Sequence, residues 1–163
     1  MLLHSLWLAE RPNISDGLKA ALLRQFSSPE ELYYCRESEL AALEMGGMTP
    51  EALEALGDKS LDGAEKTLEI CLKGGVSFLT PEDPKYPDRL RALYDAPVLL
   101  YYKGTLPEFD DLPTIALVGT RKASPYGLKT AQRLGGEIAQ GGGLVVSGLA
   151  EGVDAAAMLG ALN

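Results

Sequence analysis

The chain has 163 residues, of which 46% are apolar and 23% charged, and its mean hydropathy is close to zero. This composition is that of an ordinary globular protein and excludes a disordered or fibrous chain. No apolar run is long enough for a membrane span, and the amino terminus has neither the cationic start nor the cleavage site of a secretory signal. We therefore expect a cytoplasmic protein without membrane contact.

The net charge of −8 is unevenly distributed along the chain. Residues 1–75 contain 7 basic and 13 acidic groups, a net charge of −6, whereas residues 113–163 contain 4 basic and 3 acidic groups, a net charge of +1. Lys and Arg supply most of the non-specific affinity of proteins for DNA. The chain is therefore not expected to coat DNA indiscriminately, and only its last segment can attract an anion locally.

The cysteines and the histidine predict no special chemistry. Cys35 and Cys71 lie in helical patterns without the spacing of a metal site, and the single histidine, His4, is isolated. We expect free thiols, no metal and no cofactor.

The first 75 residues predict a small all-helical domain. Apolar residues recur at helical spacing, and the last helix is expected to stop at a glycine pair at residues 74–75. Each helix follows a capping signal, and these are Ser15, Ser28-Pro29, Thr49-Pro50 and Ser60.

From residue 76 onward the pattern changes to short β-type runs, which are 76–80, 98–102, 115–118 and 144–147. The last two are continuous apolar runs bounded by glycine, which predicts parallel strands buried on both faces. A helix from about Gly127 to Gln140 would connect them as a βαβ unit, and a final helix is predicted from about Gly152 to Leu162.

The predicted fold class is therefore α/β. Residues 76–163 are expected to form a partial doubly wound, Rossmann-like parallel sheet, preceded by the helical domain at residues 1–75. A sheet whose last strand ends near residue 147 would have an open edge, so we also expect the chain to be part of a larger domain.

Two turns after the last two strands carry the candidate site. They span Gly119–Gly127 and Gly148–Asp154, and in an open α/β sheet both would lie where helix N-termini favour an anion. The turns supply glycines for close backbone approach, hydroxyl groups and cations. The predicted phosphate site consists of Gly119, Thr120, Arg121, Lys122, Ser124, Ser147, Gly148 and Gly152.

These residues also have structural interpretations. The glycines are turn formers, and Arg121 with Lys122 could be a solvated surface pair. For Asp154 we favour a role in complementing the dipole of the last helix over a role in catalysis. Neither turn has the Gly-x-Gly-x-x-Gly fingerprint or a P-loop lysine motif, which disfavours binding of a dinucleotide or ATP.

Four segments occur in a specific order: FLTPEDPKYPDRL at 78–90, PVLLYYKG at 97–104, ALVGTR with SPYG within 116–127, and VSGLAEGVDAAA at 146–157. In order and spacing they resemble the DNA-processing protein A (DprA/Smf) family. The resemblance is strong over residues 76–163. The helical front is similar to the sterile-alpha-motif-like domain of some members.

The resemblance implies a Rossmann-type domain that binds single-stranded DNA and loads RecA onto incoming DNA in natural transformation, without catalysis and as a homodimer. It further implies DNA phosphate contacts at Gly119, Thr120 and Arg121, with Ser147 and Gly148 lining the pocket. This sequence departs from the family pattern at two positions. Glu151 replaces a frequent arginine and Met158 a common histidine, and both changes lower the positive charge beside the pocket.

Two other functions stay open. Glu151 could be the catalytic group of a nucleotide-processing enzyme similar to the phosphoribohydrolases, although the Pro-Gly-Gly-x-Gly-Thr motif of that group is missing from this sequence. The helical front could instead be an assembly module. Within it, Leu43–Met48 resembles a helix-hairpin-helix turn, but the −6 charge around this turn favours a structural role.

Overall fold

The computed structural model describes residues 2–163. The chain forms two compact units, of which the first ends at Leu106 and the second is Pro107–Asn163. The sequence placed a domain boundary near residue 75, whereas residues 76–106 lie in the first compact unit. The division at residue 75 stays a prediction. Among residues 2–163, no helix is both long and apolar enough to cross a bilayer.

The first unit is mainly helical, with α1 (Leu2–Glu10), α2 (Asp16–Gln25), α3 (Pro29–Tyr34), α4 (Glu37–Ala41), α5 (Pro50–Gly57) and α6 (Asp62–Lys73). The hydroxyls of Ser15, Ser28 and Thr49 each accept a hydrogen bond from a backbone N–H in the first turn of the next helix, at 3.1–3.2 Å. These are the predicted N-caps. Ser60 lies one residue before the cap position, because α6 begins only after Leu61.

Helix α1 supplies the centre of the first core. Its residues Leu6, Trp7 and Leu8 are fully buried. The Trp7 indole N–H donates to the carbonyl oxygen of Asp58 at 2.8 Å, and the Arg11 guanidinium donates to the same carbonyl and to the Asp58 carboxylate at 3.0 and 2.9 Å. Because Asp58 is the C-cap of α5, these bonds tie the end of α5 to α1.

Strands β1 (Ser77–Leu79) and β2 (Leu100–Tyr102) pair antiparallel, with Phe78 opposite Tyr101. The expectation that everything from residue 76 onward joins a parallel sheet is therefore wrong. The connection from β1 to β2 contains only the four-residue helix α7 (Asp88–Arg91), which is too short to act as a crossover helix. The chain turns back instead, and the β1–β2 pair packs on the helical core.

The connection between β1 and β2 is fixed by its own hydrogen bonds. Tyr86 is buried, and its hydroxyl donates to the carbonyl oxygen of Pro97 at 2.7 Å. The Arg91 guanidinium donates to the carbonyls of Asp83 and Tyr86 at 3.2 and 2.8 Å and also to that of Pro81. Much of the segment 78–90 therefore serves to hold this loop in shape.

The second unit contains β3 (Thr114–Ala116), α8 (Pro125–Gln140), β4 (Leu144–Val146) and α9 (Val153–Leu162). Strands β3 and β4 are parallel, with Ile115 opposite Val145, and α8 connects them. This confirms the predicted βαβ unit. Helix α8 begins two residues earlier than predicted, because the Ser124 hydroxyl caps it and Pro125 is its first residue.

Helices α8 and α9 approach each other closely at two glycines. A Cβ on Gly135 would overlap the carbonyl oxygen of Ala157, and a Cβ on Gly160 would overlap that of Gln132. The second core is correspondingly built from small residues, with Ala131, Ala156 and Ala157 buried and Leu117 packed against them.

The sequence also predicted that β3 and β4 are buried on both faces, and this is wrong within the described chain. Ile115 is 43% exposed and Val146 is 48% exposed. The reason is that each strand of this sheet has one strand partner among residues 2–163, and the buried cluster that covers the sheet is confined to the alanines around Leu117.

Candidate functional site

The first turn, between β3 and α8, uses its hydroxyls to shape its own backbone. Thr120 Oγ1 accepts a hydrogen bond from the Lys122 N–H at 3.2 Å, and Ser124 Oγ accepts one from the Gly127 N–H at 3.1 Å as the N-cap of α8. A hydroxyl has one donor and two acceptor positions, so both O–H groups keep their proton for another acceptor. The side chains of Arg121 and Lys122 are exposed.

The second turn, between β4 and α9, has an unusual backbone. Leu149 has a φ of 53° and an exposed side chain, and Gly152 has a φ of 89°. A Cβ on Gly152 would overlap the carbonyl oxygen of Thr120 in the first turn. Only glycine combines this φ with such a close approach, so Gly152 is where the two turns meet.

Asp154, in the first turn of α9, joins the two turns more directly. Its Oδ1 accepts a hydrogen bond from the Gly119 N–H at 3.0 Å, and its Oδ2 accepts one from the Gly148 N–H at 3.1 Å. The residue is 5% exposed. The side chain thus does more than the helix-dipole role that we favoured from the sequence: it bridges the amino ends of the two turns.

The environment of Asp154 favours its ionised form. The N–H of Gly119, followed by the nearby Ser147 hydroxyl and the N–H of Gly148, lowers the pKa of this carboxyl below its usual value. Ser147 Oγ is itself enclosed and has no partner in good hydrogen-bonding geometry among residues 2–163. A charged carboxylate therefore lies at the junction of the two turns.

Gly119 is also required where the turns meet. A Cβ on this residue would lie 2.8 Å from Cβ of Val153, which is far inside van der Waals contact. The Val153 N–H donates to the carbonyl of Thr120 at 3.3 Å, so the start of α9 rests on the first turn. Gly119 therefore allows the close packing of Val153 against the first turn.

The structure thus brings part of the predicted site together. Gly119, Thr120, Gly148 and Gly152 meet around Asp154, with Ser147 beside it. Arg121 reaches the second turn through its backbone, since a Cβ on Gly152 would overlap the Arg121 carbonyl. For Lys122 and Ser124, no contact with the second turn is described within residues 2–163. The phosphate role of all eight stays a prediction.

Asp154 is not among the site residues that the sequence predicts. Its hydrogen bond to Gly119 spans 35 positions of the chain, so no local pattern shows it. One signal was present: an aspartate two residues after a glycine at the start of a helix places a carboxylate where backbone N–H groups collect.

Three other predicted features have clear positions. Glu151 is exposed in the second turn, and Met158 is half-buried on α9. In the first unit, Met45 and Met48 of the possible helix-hairpin-helix turn pack against the helical core, in keeping with a structural role.

Comparison with known proteins decides the family. The model of the DNA recombination-mediator protein A family matches residues 77–163, which is more than half of the chain. The chain belongs to this family. The match to the DNA recombination-mediator protein A model contains both strand-end turns and Asp154.

Individual members of the DNA recombination-mediator protein A family are similar to it. Protein Smf of Synechocystis is 29% identical over 155 residues, covering 91% of this chain and 38% of its own length. The DNA processing protein DprA of Streptococcus pneumoniae is 42% identical over 85 residues, covering 50% of this chain and 28% of its own length. The X-ray structure of DprA from the same organism has a TM-score of 0.72 at 24% identity, covering 99% of this chain and 54% of that one. This likeness supports the α/β fold.

Proposed function

We propose that this chain is a non-catalytic protein that binds single-stranded DNA, with the backbone phosphates held along the outer edge of the two strand-end turns. Membership of a recombination-mediator family supports a role in DNA processing. In the intact protein, acting in the cytoplasm as a homodimer, this binding would load RecA onto incoming DNA in natural transformation. The observation that carries the proposal is the exposed Arg121 at the junction of two glycine turns.

The outer edge of the first turn keeps several donors free for a phosphate. Arg121 has no hydrogen-bond or ion-pair partner anywhere in residues 2–163. Its forked guanidinium can donate to two oxygens of one phosphate. The exposed ammonium of Lys122 and the O–H of Thr120 lie on the same turn.

Contacts of this kind do not read the base sequence. Phosphate oxygens are the same at every nucleotide, and affinity then depends on the number of cations engaged and on salt. The second unit contains four basic residues, Arg121, Lys122, Lys129 and Arg133. Arg133 is paired with Glu137 at 2.7 Å, which leaves few cations for DNA. We therefore expect sequence-independent and strongly salt-sensitive binding.

Fluorescence anisotropy with labelled oligonucleotides tests the proposal directly. Homopolymeric and mixed single strands of equal length should bind with similar affinity, and added salt should weaken all of them alike. No binding at low salt would refute the proposal, and a strong preference for one sequence would refute phosphate recognition.

Two further assays test the finer parts of the proposal. RecA-dependent ATP hydrolysis on a single strand covered by a competing binding protein should rise when the chain is added. Incubation with nucleoside monophosphates should release no free base. Release of base that is lost in Glu151→Gln would replace the proposal with the enzyme interpretation.

A further inference from the structure

The crevice between the two strand-end turns contains two backbone N–H groups that could bind a phosphate, and both already have a hydrogen-bond acceptor. In open α/β sheets, N–H groups at the carboxyl ends of strands are the usual donors to a bound phosphate. Here the Gly119 and Gly148 N–H groups both donate to the carboxylate of Asp154, at 3.0 and 3.1 Å. The carboxylate takes the position that a ligand's anionic group would take.

We propose that the Asp154 carboxylate permanently fills the crevice between the two turns. It thereby excludes free phosphate and mononucleotides, so that DNA binds only outside the crevice, through backbone phosphodiesters along Arg121. The second half of this inference rests on the proposed function, because it concerns DNA. The exclusion of small phosphates stands on the geometry around Asp154 alone.

The residues around Asp154 hold its carboxylate in place. Val153, the preceding residue, packs against Gly119 so closely that a Cβ there would lie 2.8 Å from Cβ of Val153. Its N–H is bonded to the Thr120 carbonyl at 3.3 Å, and Gly152 is packed against that same carbonyl. Rotating the Asp154 side chain outward would break both of these charge-assisted hydrogen bonds, to Gly119 and to Gly148.

Electrostatic repulsion by the Asp154 carboxylate also disfavours the entry of a phosphate into the crevice. A phosphate group that entered the crevice would have to approach a carboxylate that is 5% exposed and ionised. A phosphate monoester carries about 1.5–2 negative charges at neutral pH, so it is repelled more strongly than an internal phosphodiester, which carries a single charge. Outside the crevice, Arg121 and Lys122 offset this field for a strand that stays at the edge.

The test follows the amide resonances of the ¹⁵N-labelled 163-residue chain in NMR titrations. With inorganic phosphate or adenosine monophosphate at millimolar concentration, the Gly119 and Gly148 resonances of the wild type should not move. With a single-stranded oligonucleotide, the resonances of Arg121 and Lys122 should move. Movement of both glycine resonances with inorganic phosphate would overturn the inference and leave DNA binding untouched.

Two matched variants make the test sharper. Asp154→Asn keeps one oxygen acceptor and its shape, so one of the two glycine N–H groups is left for a new acceptor. Glu151→Gln removes one negative charge from the same turn but leaves both N–H groups occupied. Asp154→Asn should bind inorganic phosphate roughly tenfold or more tightly than Glu151→Gln, because a hydrogen bond to a charged group becomes available.

The outcomes separate the inference from the proposed function. A gain of phosphate binding only in Asp154→Asn supports the inference, and loss of structure alone could not produce such a gain. Equal phosphate affinity of the two variants overturns it. If Asp154→Asn does not fold, the wild-type titration decides by itself. Failure of the wild type to bind any oligonucleotide, with its glycine resonances unmoved by phosphate, would refute the proposed function and leave the exclusion standing.

Discussion

Arg121 differs from Arg133, the other arginine of the second unit, in having no ion-pair partner within residues 2–163. Arg133, on α8, is held in an ion pair with Glu137 at 2.7 Å, four residues further along the helix. Arg121 is on an exposed turn and has no such partner within residues 2–163. This contrast between two arginines of the same compact unit provides a matched pair for mutation.

Arg121→Ala should weaken binding to all single-stranded sequences alike. A charge-assisted contact contributes about 1.5–3 kcal/mol, so the loss should be roughly 10-fold to 150-fold at moderate salt. Losing one phosphate contact should also flatten the dependence of log affinity on log salt by about 0.7 for a single strand. Anisotropy titrations at several salt concentrations measure both quantities.

Arg133→Ala is the control for that measurement. It removes the same charge from an exposed position but, by our proposal, leaves the DNA contact in place. Affinity should therefore change little, and the melting temperature of both variants should stay close to that of the wild type. Equal losses in the two variants would show that Arg121 acts only through net charge.

Asp154 should make the stability of the second unit depend on pH in the acidic range. Its pKa is lowered in the folded state, chiefly by the Gly119 N–H, so its contribution is present above the unfolded pKa of about 3.9 and is lost as pH falls below it. The melting temperature of the wild type should therefore fall steeply below about pH 4.

Asp154→Asn supplies the comparison for the pH series. Asparagine does not titrate, so the variant should be less stable than the wild type at neutral pH, by about 5 °C or more in melting temperature, with the gap narrowing as the pH falls. Circular dichroism melts at a series of pH values measure this gap. A gap that stays constant with pH would contradict the role of the ionised carboxylate.

At the scale of elements, the contact between α8 and α9 depends on glycine. Gly135→Ala places a methyl group on the carbonyl of Ala157, so the helices must move apart. Overpacking of this kind costs about 1–3 kcal/mol of unfolding free energy. Gly127→Ala in the same helix is the control, since its Cβ would lie 3.5 Å from Ser124 Oγ, an ordinary contact. It should leave stability unchanged or raise it by up to about 1 kcal/mol through helix propensity.

Chemical denaturation followed by far-UV circular dichroism distinguishes these two variants. A loss confined to Gly135→Ala is expected. Similar losses in both would mean that glycine is favoured along α8 for its backbone freedom rather than for the contact with α9.

Local signals predicted the elements well where the determinants are local. The caps at Ser15, Ser28 and Thr49 are hydrogen bonds over three residues, and each is present. Helix α1 carries no capping signal and was not predicted, although its Trp7 is fully buried in the core. The burial of α1 depends on contacts with residues such as Asp58, 51 positions away, which no sequence window contains.

The direction of the β1–β2 pair and the geometry of the candidate site also depend on contacts that no local pattern contains. Strand propensity indicated both strands, but their direction depends on the length and shape of the connection, which is fixed by Tyr86 and Arg91. The sequence likewise predicted that two glycine turns converge. It did not predict that the carboxylate of Asp154 would fill the space between them.

At the scale of the whole molecule, the family match and the compact units do not coincide. The match begins at residue 77, inside the first unit, so it includes β1 and β2 as well as all of the second unit. The net charge divides in the same way at either boundary. Residues 1–106 contain 11 basic and 17 acidic groups, a net charge of −6, whereas residues 107–163 contain 4 basic and 6 acidic groups, a net charge of −2. A DNA strand is therefore repelled least by the second unit.

The two possible boundaries of the helical domain, residue 75 and residue 106, predict different behaviour of truncated chains. The first core includes Val98 and Leu99, which are 5% and 7% exposed, and each such apolar side chain contributes about 1.5–3 kcal/mol when buried. The segment 1–106 should therefore unfold in one cooperative transition, and the segment 1–75 should be less stable by several kcal/mol or fail to fold.

Trp7 is the single tryptophan of the chain and lies in this core, so its fluorescence in a urea titration reports the transition in both segments. Equal midpoints for the two segments would place the domain boundary at residue 75 and would make the packing of β1 and β2 on the helices energetically unimportant.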